Sequence, residues 1–221
     1  MEHTTLHLLY SRFWHKFLYD CGYVPTKEPY NRRTSHGMIL ASNGEKMSKS
    51  RGNVINPDDI VNNYGADTFR LYEMFIGPFD QVAMWSEESL MGVYRFVGKI
   101  YSLFKKVADC KPTDADLRAM HKCILEVTER IDGMKFNTAV SSLMTYVNYM
   151  SGLDNIPQEM YETLMKLLSP FAPHLSEEMW ARMGKETLVL NEPWPQGDAK
   201  LAEDNVVTLA VQICGKMRGT I

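Results

Sequence analysis

The side chains best suited to chemistry lie in one stretch of five residues, Lys46-Met47-Ser48-Lys49-Ser50. It brings two ammonium groups, two hydroxyl groups and several backbone amides close together. Such donors suit a polyphosphate, because negative charge moves onto the leaving group as a phosphoanhydride bond breaks. Lysine fits this role as a point charge on a flexible stem. The same residue types also occur in ordinary solvated loops, so the stretch alone leaves both interpretations open.

Two histidines near the amino end, His3 and His7, lie four residues apart and would share one face of a helical turn. That spacing suits two metal ligands, but no third ligand with suitable spacing is visible, so we predict no metal site. The alternative is a pair of histidines on a helix surface. Four cysteines are scattered without a Cys-x-x-Cys pair, and we interpret them as reduced, mostly buried thiols. They are Cys21, Cys110, Cys123 and Cys214.

A short α/β segment has to position these groups. Apolar residues at helical spacing favour an amphipathic helix over residues 3–20, which Gly22 ends. Residues 35–40 are apolar enough for one strand. The polar residues 41–53 that follow are predicted to form a mobile loop, so the lysines lie on a loop directly after a strand.

Two short helices are predicted directly after the loop. Asn56 and Pro57, followed by two acidic residues, are typical of a helix start, since acids are stabilised at the positive end of the helix dipole. A second helix begins at the Gly-Ala-Asp of residues 65–67 and runs to about Ile76. The Gly-Pro pair at 77–78 then breaks it.

The rest of the chain predicts a helical bundle. Four longer helices are expected, at 86–108, 113–131, 136–151 and 158–184. Pro170 and Pro173 interrupt the last of them, and Ser176 is predicted to cap its second part. Alternating residues at 206–213 predict a strand, with a turn at Gly215.

The predicted fold is therefore mainly α: the end of a Rossmann-like α/β domain, then a helical bundle, then the start of a small carboxyl-terminal α/β domain. The predicted boundaries are 1–80, 81–195 and 196–221. One helix and one strand cannot close an α/β core, so we expect this sequence to be a segment of a longer protein. Aromatic residues at helical spacing are interpreted as core rather than as platforms for stacking bases. They are Trp85, Tyr94 and Phe96.

Composition excludes some classes of protein. The 221 residues are 45% hydrophobic and 23% charged, a globular balance that argues against a disordered or fibrous chain. The net charge is −3, so any contact with nucleic acid would have to use a local basic patch. Apolar runs are too short to span a membrane. We expect a cytoplasmic protein with no membrane partner.

The motif at 46–50, the Arg-Gly-Asn after it and the Gly-Ala-Asp at 65–67 together resemble the signature of class I aminoacyl-tRNA synthetases. The resemblance implies a nucleotide-binding α/β fold whose motif loop closes over ATP during amino-acid activation. It also implies roles for individual residues. Lys49 would contact the ATP phosphates and Lys46 would support the same charge, which makes these two the candidate catalytic residues. The resemblance implies four further ATP contacts. Ser48 and Ser50 would be auxiliary donors, and Met38 and Ile39, in the strand before the loop, would lie beside the adenine.

The opening residues 2–13 resemble the leucyl-tRNA synthetase family. This implies Glu2 at the ATP ribose, with His3 and His7 near a leucine side-chain pocket. Residues 167–180 resemble the helical tRNA-binding domain of the Leu, Ile, Val and Met enzymes. Residues 211–219 resemble the start of a small carboxyl-terminal domain, where Cys214 departs from the usual Asn-Gly and leaves the turn type open.

The resemblance implies part of an enzyme that activates leucine with ATP, taken with Mg²⁺ as substrate, and transfers it to the 3′ adenosine of tRNA-Leu. No tightly bound cofactor is implied, and the full enzyme is expected to be monomeric. The chain alone is expected to be inactive, because its sequence contains no His-x-Gly-His nucleotide motif. Two alternatives are a sibling enzyme for valine, isoleucine or methionine, and a non-catalytic tRNA-binding paralogue. The opening segment favours the leucyl family, and a non-catalytic paralogue leaves the lysine motif unexplained.

Overall fold

A computed structural model describes residues 4–203, 210–213 and 216–220 of the chain, with side chains described for 4–203. It forms two compact units, one ending at His36 and the other beginning at Gly37. None of the described helices combines the length and the apolar character needed to cross a bilayer. The prediction of a mainly helical fold is confirmed.

The first unit consists of helix α1 (Thr4–Asp20) and the segment after it. Gly22, with a φ of +77°, ends the helix as predicted. The segment returns along α1, and Glu28 accepts from Arg12 at 2.9 Å through both oxygens and lies 2.8 Å from Lys16 Nζ. Six apolar or aromatic side chains of α1 are more than half exposed, between 51% and 70%: Leu6, Leu9, Tyr10, Phe13, Trp14 and Phe17.

The second unit begins with a parallel pair of short strands, β1 (Ile39–Leu40) and β2 (Ala83–Met84). The predicted strand at 35–40 is thus real but shorter than expected, because only two of its residues pair in the ladder. Helices α2 (Pro57–Tyr64) and α3 (Ala66–Phe75) follow the loop. The Asn56 side chain accepts from the Asp58 amide at 3.2 Å, which confirms the predicted helix start.

Five longer helices build the bundle: α4 (Glu87–Leu103), α5 (Asp114–Asp132), α6 (Phe136–Ser151), α7 (Gln158–Leu168) and α8 (Pro173–Arg182). The predicted helix at 86–108 was too long. After α4 the chain tightens into a 3-10 turn and then pairs in parallel, as β3 (Val107–Ala108), with β4 (Ile156–Pro157). Lys106 Nζ fixes this change of direction by donating to the carbonyls of Ser151 (3.0 Å) and Leu153 (2.9 Å).

One hydrophobic core joins the bundle to α3. Residues of α4 spaced three or four apart point into it, as the helical period requires: Leu90, Val93, Phe96, Ile100 and Leu103. Trp85 and Phe96 are buried, which confirms their prediction as core residues. Tyr94 is not, since it is 43% exposed and makes an edge contact with Tyr64 at 5.6 Å between ring centroids.

The prediction of mostly buried thiols is wrong for two of the three cysteines that the structure describes. Cys123 is buried on α5, whereas Cys21, in the turn after α1, and Cys110, just after β3, are exposed. Neither of these two cysteines lies in a helix, so the helical spacing of apolar residues gave no information about its burial. Cys214 lies outside the described residues.

A helix of one turn, α9 (Ala199–Ala202), packs on α5 near the carboxyl end. An antiparallel hairpin follows, formed by β5 (Ala210–Ile213) and β6 (Lys216–Thr220). The predicted strand is confirmed over its last four residues, whereas 206–209 and the predicted turn residue Gly215 lie outside the described part.

Candidate functional site

The motif loop leaves β1 through a tight turn. The Ala41 amide donates to the Glu45 carbonyl at 2.9 Å, and the Gly44 amide donates back to the Ala41 carbonyl at 2.9 Å. The Asn43 side chain accepts from the Glu45 amide at 3.1 Å. This turn anchors the start of the loop to the strand pair, so that Lys46 follows a fixed backbone.

The strand pair itself requires a glycine that the sequence did not single out. A Cβ atom placed on Gly37 would lie 1.6 Å from the Gln81 carbonyl oxygen, so only glycine allows this approach. The Gly37 amide donates to the Phe79 carbonyl at 2.8 Å, just before β1 begins. The close approach brings the chain just before β2 against the strand that carries the loop.

Asn53 closes the loop from the other side. Its Oδ1 accepts from the Ser48 amide at 2.9 Å, and its Nδ2 donates to the Lys46 carbonyl at 3.3 Å. One side-chain amide therefore holds two backbone groups of the motif. A 3-10 turn over Lys49–Arg51 lies between them and ends at Gly52, whose φ of +65° favours glycine.

The side chains of the motif divide between two environments. Met47 is half-buried and packs against the core, whereas Lys46 and Lys49 are exposed. Within the described part of the chain, the Lys49 ammonium has no hydrogen-bond or ion-pair partner. The hydroxyls of Ser48 and Ser50 lie 3.2 Å apart and bond each other. The methionine thus anchors the loop while the charged and hydroxyl groups face outward.

The electrostatics of the loop favour an anion. Lys46, Lys49 and Arg51 bring three cations within six residues, against one carboxylate, that of Glu45, which lies 3.3 Å from Arg51. The remaining positive charge on an exposed loop suits a phosphate chain. Among the described residues, no group of three or more His, Cys, Asp or Glu side chains lies together in a way that could hold a metal ion.

Comparison with known proteins supports a synthetase. Residues 10–96 match the family profile described as tRNA synthetases class I (I, L, M and V). Residues 117–221 match the profile described as anticodon-binding domain of tRNA ligase. The chain is also 52% identical, over 220 residues and 99% of its length, to the leucine–tRNA ligase of Alkaliphilus oremlandii. The chain therefore resembles class I aminoacyl-tRNA synthetases along nearly its whole length.

Other synthetases agree with this assignment. The leucine–tRNA ligase of Chlorobaculum parvum is 51% identical over 99% of the chain. A crystal structure of a ternary complex of Agrobacterium radiobacter LeuRS with tRNA and LeuAMS matches 100% of the chain with a TM-score of 0.76 and 33% identity. The chain spans 27% and 28% of the length of the two ligases and 31% of the crystallised chain. It therefore corresponds to a little over a quarter of these synthetases.

The structure brings together six of the nine residues predicted for the synthetase site. Four lie on the motif loop, and Met38 and Ile39 lie directly before it, where the Met38 carbonyl accepts from the Ala83 amide at 3.1 Å. His7 lies in the first unit, with Nε2 3.5 Å from the Tyr30 hydroxyl. Glu2 and His3 lie outside the described residues. The roles of all nine stay predictions.

Sequence reasoning missed the side chains that hold this part of the chain in shape. Asn53 lies only three residues beyond the motif, but its two backbone partners appear only when the loop is folded. Asp67 was noticed only as part of a helix start. Its carboxylate instead reaches a helix 107 residues later in the chain. The one available signal was the Gly-Ala-Asp motif itself.

Proposed function

We propose that this chain is part of a leucine–tRNA ligase, which activates leucine with ATP and then transfers it to the 3′ adenosine of tRNA-Leu. The observation that carries the proposal is the identity of 51–52% to leucine–tRNA ligases over 99% of the chain. The crystallised LeuRS, which matches the whole chain, was bound to tRNA and LeuAMS. Leucine, ATP and tRNA-Leu are therefore the proposed substrates, with ATP taken as its Mg²⁺ complex and no tightly bound cofactor.

The motif loop would act on the first step. The leucine carboxylate attacks the α-phosphate of ATP, the bond to the β-phosphate breaks, and pyrophosphate leaves with the added charge. Lys49 would stabilise that charge directly, since its exposed ammonium has no partner among the described residues that would have to be displaced. Lys46 would add a second positive charge. The Ser48 and Ser50 hydroxyls, 3.2 Å apart, would donate to the same phosphates.

The other predicted residues would bind the rest of the substrates. Met38 and Ile39 would lie beside the adenine, Glu2 at the ribose, and His3 and His7 near the leucine side chain. The helical bundle would bind tRNA, in keeping with the anticodon-binding profile over 117–221. We further propose that the full enzyme is a cytoplasmic monomer and that the 221-residue chain by itself does not leucylate tRNA.

The proposal can be tested with a chimera in which this chain replaces the matching segment of the Alkaliphilus oremlandii ligase. At 52% identity the apolar positions should be similar enough for the chimera to fold. We expect leucine-dependent exchange between ATP and pyrophosphate, followed by leucylation of tRNA-Leu. Exchange that depends on valine, isoleucine or methionine instead would contradict the assignment to leucine.

The non-catalytic alternative makes a different prediction for the same chimera. A folded chimera that binds tRNA but supports no exchange with any amino acid would favour a tRNA-binding paralogue. In that case tRNA binding would also survive the substitution of Lys46 and Lys49. The proposed ligase requires exchange activity that is lost when Lys49 is replaced.

A further inference from the structure

Helix α3 holds the junction between α7 and α8 at two points. Asp67 and Arg70 lie one turn apart on α3: Asp67 reaches the first turn of α8, Arg70 reaches the turn before it, and we name the pair the α3 clamp. The Asp67 carboxylate accepts from the His174 Nδ1–H at 2.8 Å and from the Leu175 amide at 2.6 Å. Arg70 donates to the carbonyls of Pro170 at 2.9 Å and Phe171 at 3.3 Å.

The clamp matches the charges of both helix ends. Helix α8 begins after Ala172, which has no side chain able to cap it, so its first-turn amides need an acceptor from elsewhere. Asp67 supplies that acceptor together with a negative charge at the positive end of the α8 dipole. Arg70 supplies a positive charge at the carbonyls that follow α7, which is the negative end of that helix. The predicted cap, Ser176, is instead buried inside α8.

Two unpaired hydroxyls flank the clamp. Within the described residues, Thr68 Oγ1 and Ser176 Oγ are buried without a hydrogen-bond partner. Thr68 directly follows Asp67, and Ser176 directly follows Leu175, so each lies next to one end of the same hydrogen bond. Buried hydroxyls without partners reduce stability, and native proteins have few of them. Two such hydroxyls therefore lie beside the hydrogen bond between Asp67 and Leu175.

The clamp also joins two functional parts of the chain. Asp67 and Arg70 lie within the residues that match the synthetase profile, whereas the turn lies within those that match the anticodon-binding profile. Helices α2 and α3 come directly after the motif loop, and α3 shares the bundle core through Leu71 and Tyr72. The position of α8 is thus linked by hydrogen bonds to the helix pair that follows the loop.

We propose that Asp67 and Arg70 are positioning residues for the transfer step: they fix the anticodon-binding helices relative to the motif loop, so that a bound tRNA is presented correctly. This rests on the proposed function. In the chimera we expect Asp67→Ala to lower kcat/KM for tRNA at least about fivefold, with exchange of pyrophosphate within about twofold of the unsubstituted chimera. Asp67→Asn, which keeps an acceptor of the same length for the Leu175 amide, should recover part of the loss.

The control is Glu178→Gln on the exposed side of α8. It removes an ion pair to Arg182, 2.7 Å long, without touching the clamp, and should change neither reaction. If Asp67→Ala lowered pyrophosphate exchange and leucylation equally, Asp67 would have a general structural role and the proposal would be overturned. The proposal would also be overturned if Asp67→Ala lowered neither reaction.

Hydrogen exchange on the unsubstituted 221-residue chain and on its Asp67→Ala variant separates failure of the clamp from failure of the proposed function. We expect faster hydrogen exchange of the amides at 174–177 in the variant and unchanged hydrogen exchange in α6. Unchanged hydrogen exchange at 174–177, or an equal rise in α6, would overturn the clamp. If hydrogen exchange changes as expected but the unsubstituted chimera activates no leucine, the clamp is present but the proposed function fails. The proposed role of the clamp in the transfer step then fails as well.

Discussion

Asn53 uses both ends of its side-chain amide on the backbone of the motif loop, accepting at 2.9 Å and donating at 3.3 Å. The lysines themselves are exposed, so they contribute charge but do not shape the loop. Loop shape comes instead from Asn53, from the packing of Met47 and from the turn at Asn43. At the scale of residues, the groups predicted to do chemistry and those that position them are different groups.

This division predicts the effect of Asn53→Ala. Loss of two hydrogen bonds, each worth about 1 kcal/mol, should lower leucine-dependent exchange in the chimera by about tenfold or more. Asn53→Asp keeps the acceptor but loses the donor, so its exchange rate should lie between those of Asn53→Ala and the unsubstituted chimera. The matched control is Asn43→Ala, which loses one hydrogen bond to the Glu45 amide outside the motif. An equal loss of activity in Asn43→Ala would show that any loosening of the loop lowers the exchange rate, and would contradict a specific role for Asn53.

The cysteines allow a second prediction at this scale. Burial raises the pKa of the Cys123 thiol, whereas Cys21 and Cys110 are exposed. Because the thiolate is the reactive form, native alkylation near pH 8 should modify Cys21 and Cys110 and spare Cys123. Mass spectrometry of the digested chain would locate the label. Rapid modification of Cys123 before unfolding would contradict its position in the core.

At the scale of elements, prediction succeeded where the signals are local. The expected helices at 113–131 and 136–151 match α5 and α6, because the apolar period lies within each segment and α5 also begins at its own capping residue, Thr113. The start of α8 was predicted wrongly, since its cap comes from Asp67, 107 residues earlier. The roles of Gly37 and Asn53 were missed for the same reason. The motif residues could be predicted from their residue types, but the residues that position them act through contacts that form only in the folded chain.

Helix α5 provides a prediction for pH dependence. Burial raises the pKa of Asp116, but hydrogen bonds from the Thr113 amide (2.8 Å), the Thr113 hydroxyl (2.7 Å) and the Tyr149 hydroxyl (2.8 Å) outweigh it, so the pKa lies below its usual value. A depressed carboxyl pKa stabilises the fold above the unfolded pKa of about 3.9, and this stability is lost as pH falls through the folded pKa.

Asp116→Asn should therefore lower the free energy of unfolding at pH 7 and reduce its dependence on pH below about 4. Urea unfolding at several pH values would measure both effects. Asp114→Asn, an exposed change in the same first turn, serves as the control and should leave the acid dependence nearly unchanged. An identical acid dependence in Asp116→Asn and the unsubstituted chain would contradict the assignment.

At the scale of the molecule, stability and candidate chemistry are distributed unevenly. Every buried residue of the described part lies beyond residue 40, in the unit that begins at Gly37. The first unit holds the proposed leucine-site residue His7 and a helix with exposed apolar side chains. Within it, the hydrogen bond from Arg12 lowers the pKa of Glu28 to about 2, so this carboxylate keeps its charge into the acidic range.

A chain that begins at Gly37 should therefore keep its cooperative unfolding transition. Because the core lies within the remaining residues, we expect its Tm to fall by less than about 5 °C. Calorimetry on the two chains would measure this. A much larger fall, or loss of the transition, would show that residues 1–36 contribute to the core.

The measurement that tests the central claim most directly is leucine-dependent pyrophosphate exchange by the chimera with and without Lys49→Ala. Lys105→Ala, at an exposed lysine just after α4, is the matched control. If the motif loop stabilises the charge on the leaving pyrophosphate, Lys49→Ala lowers the exchange rate about 100-fold or more, with the control unchanged and folding intact. A near-normal rate for Lys49→Ala would contradict the account.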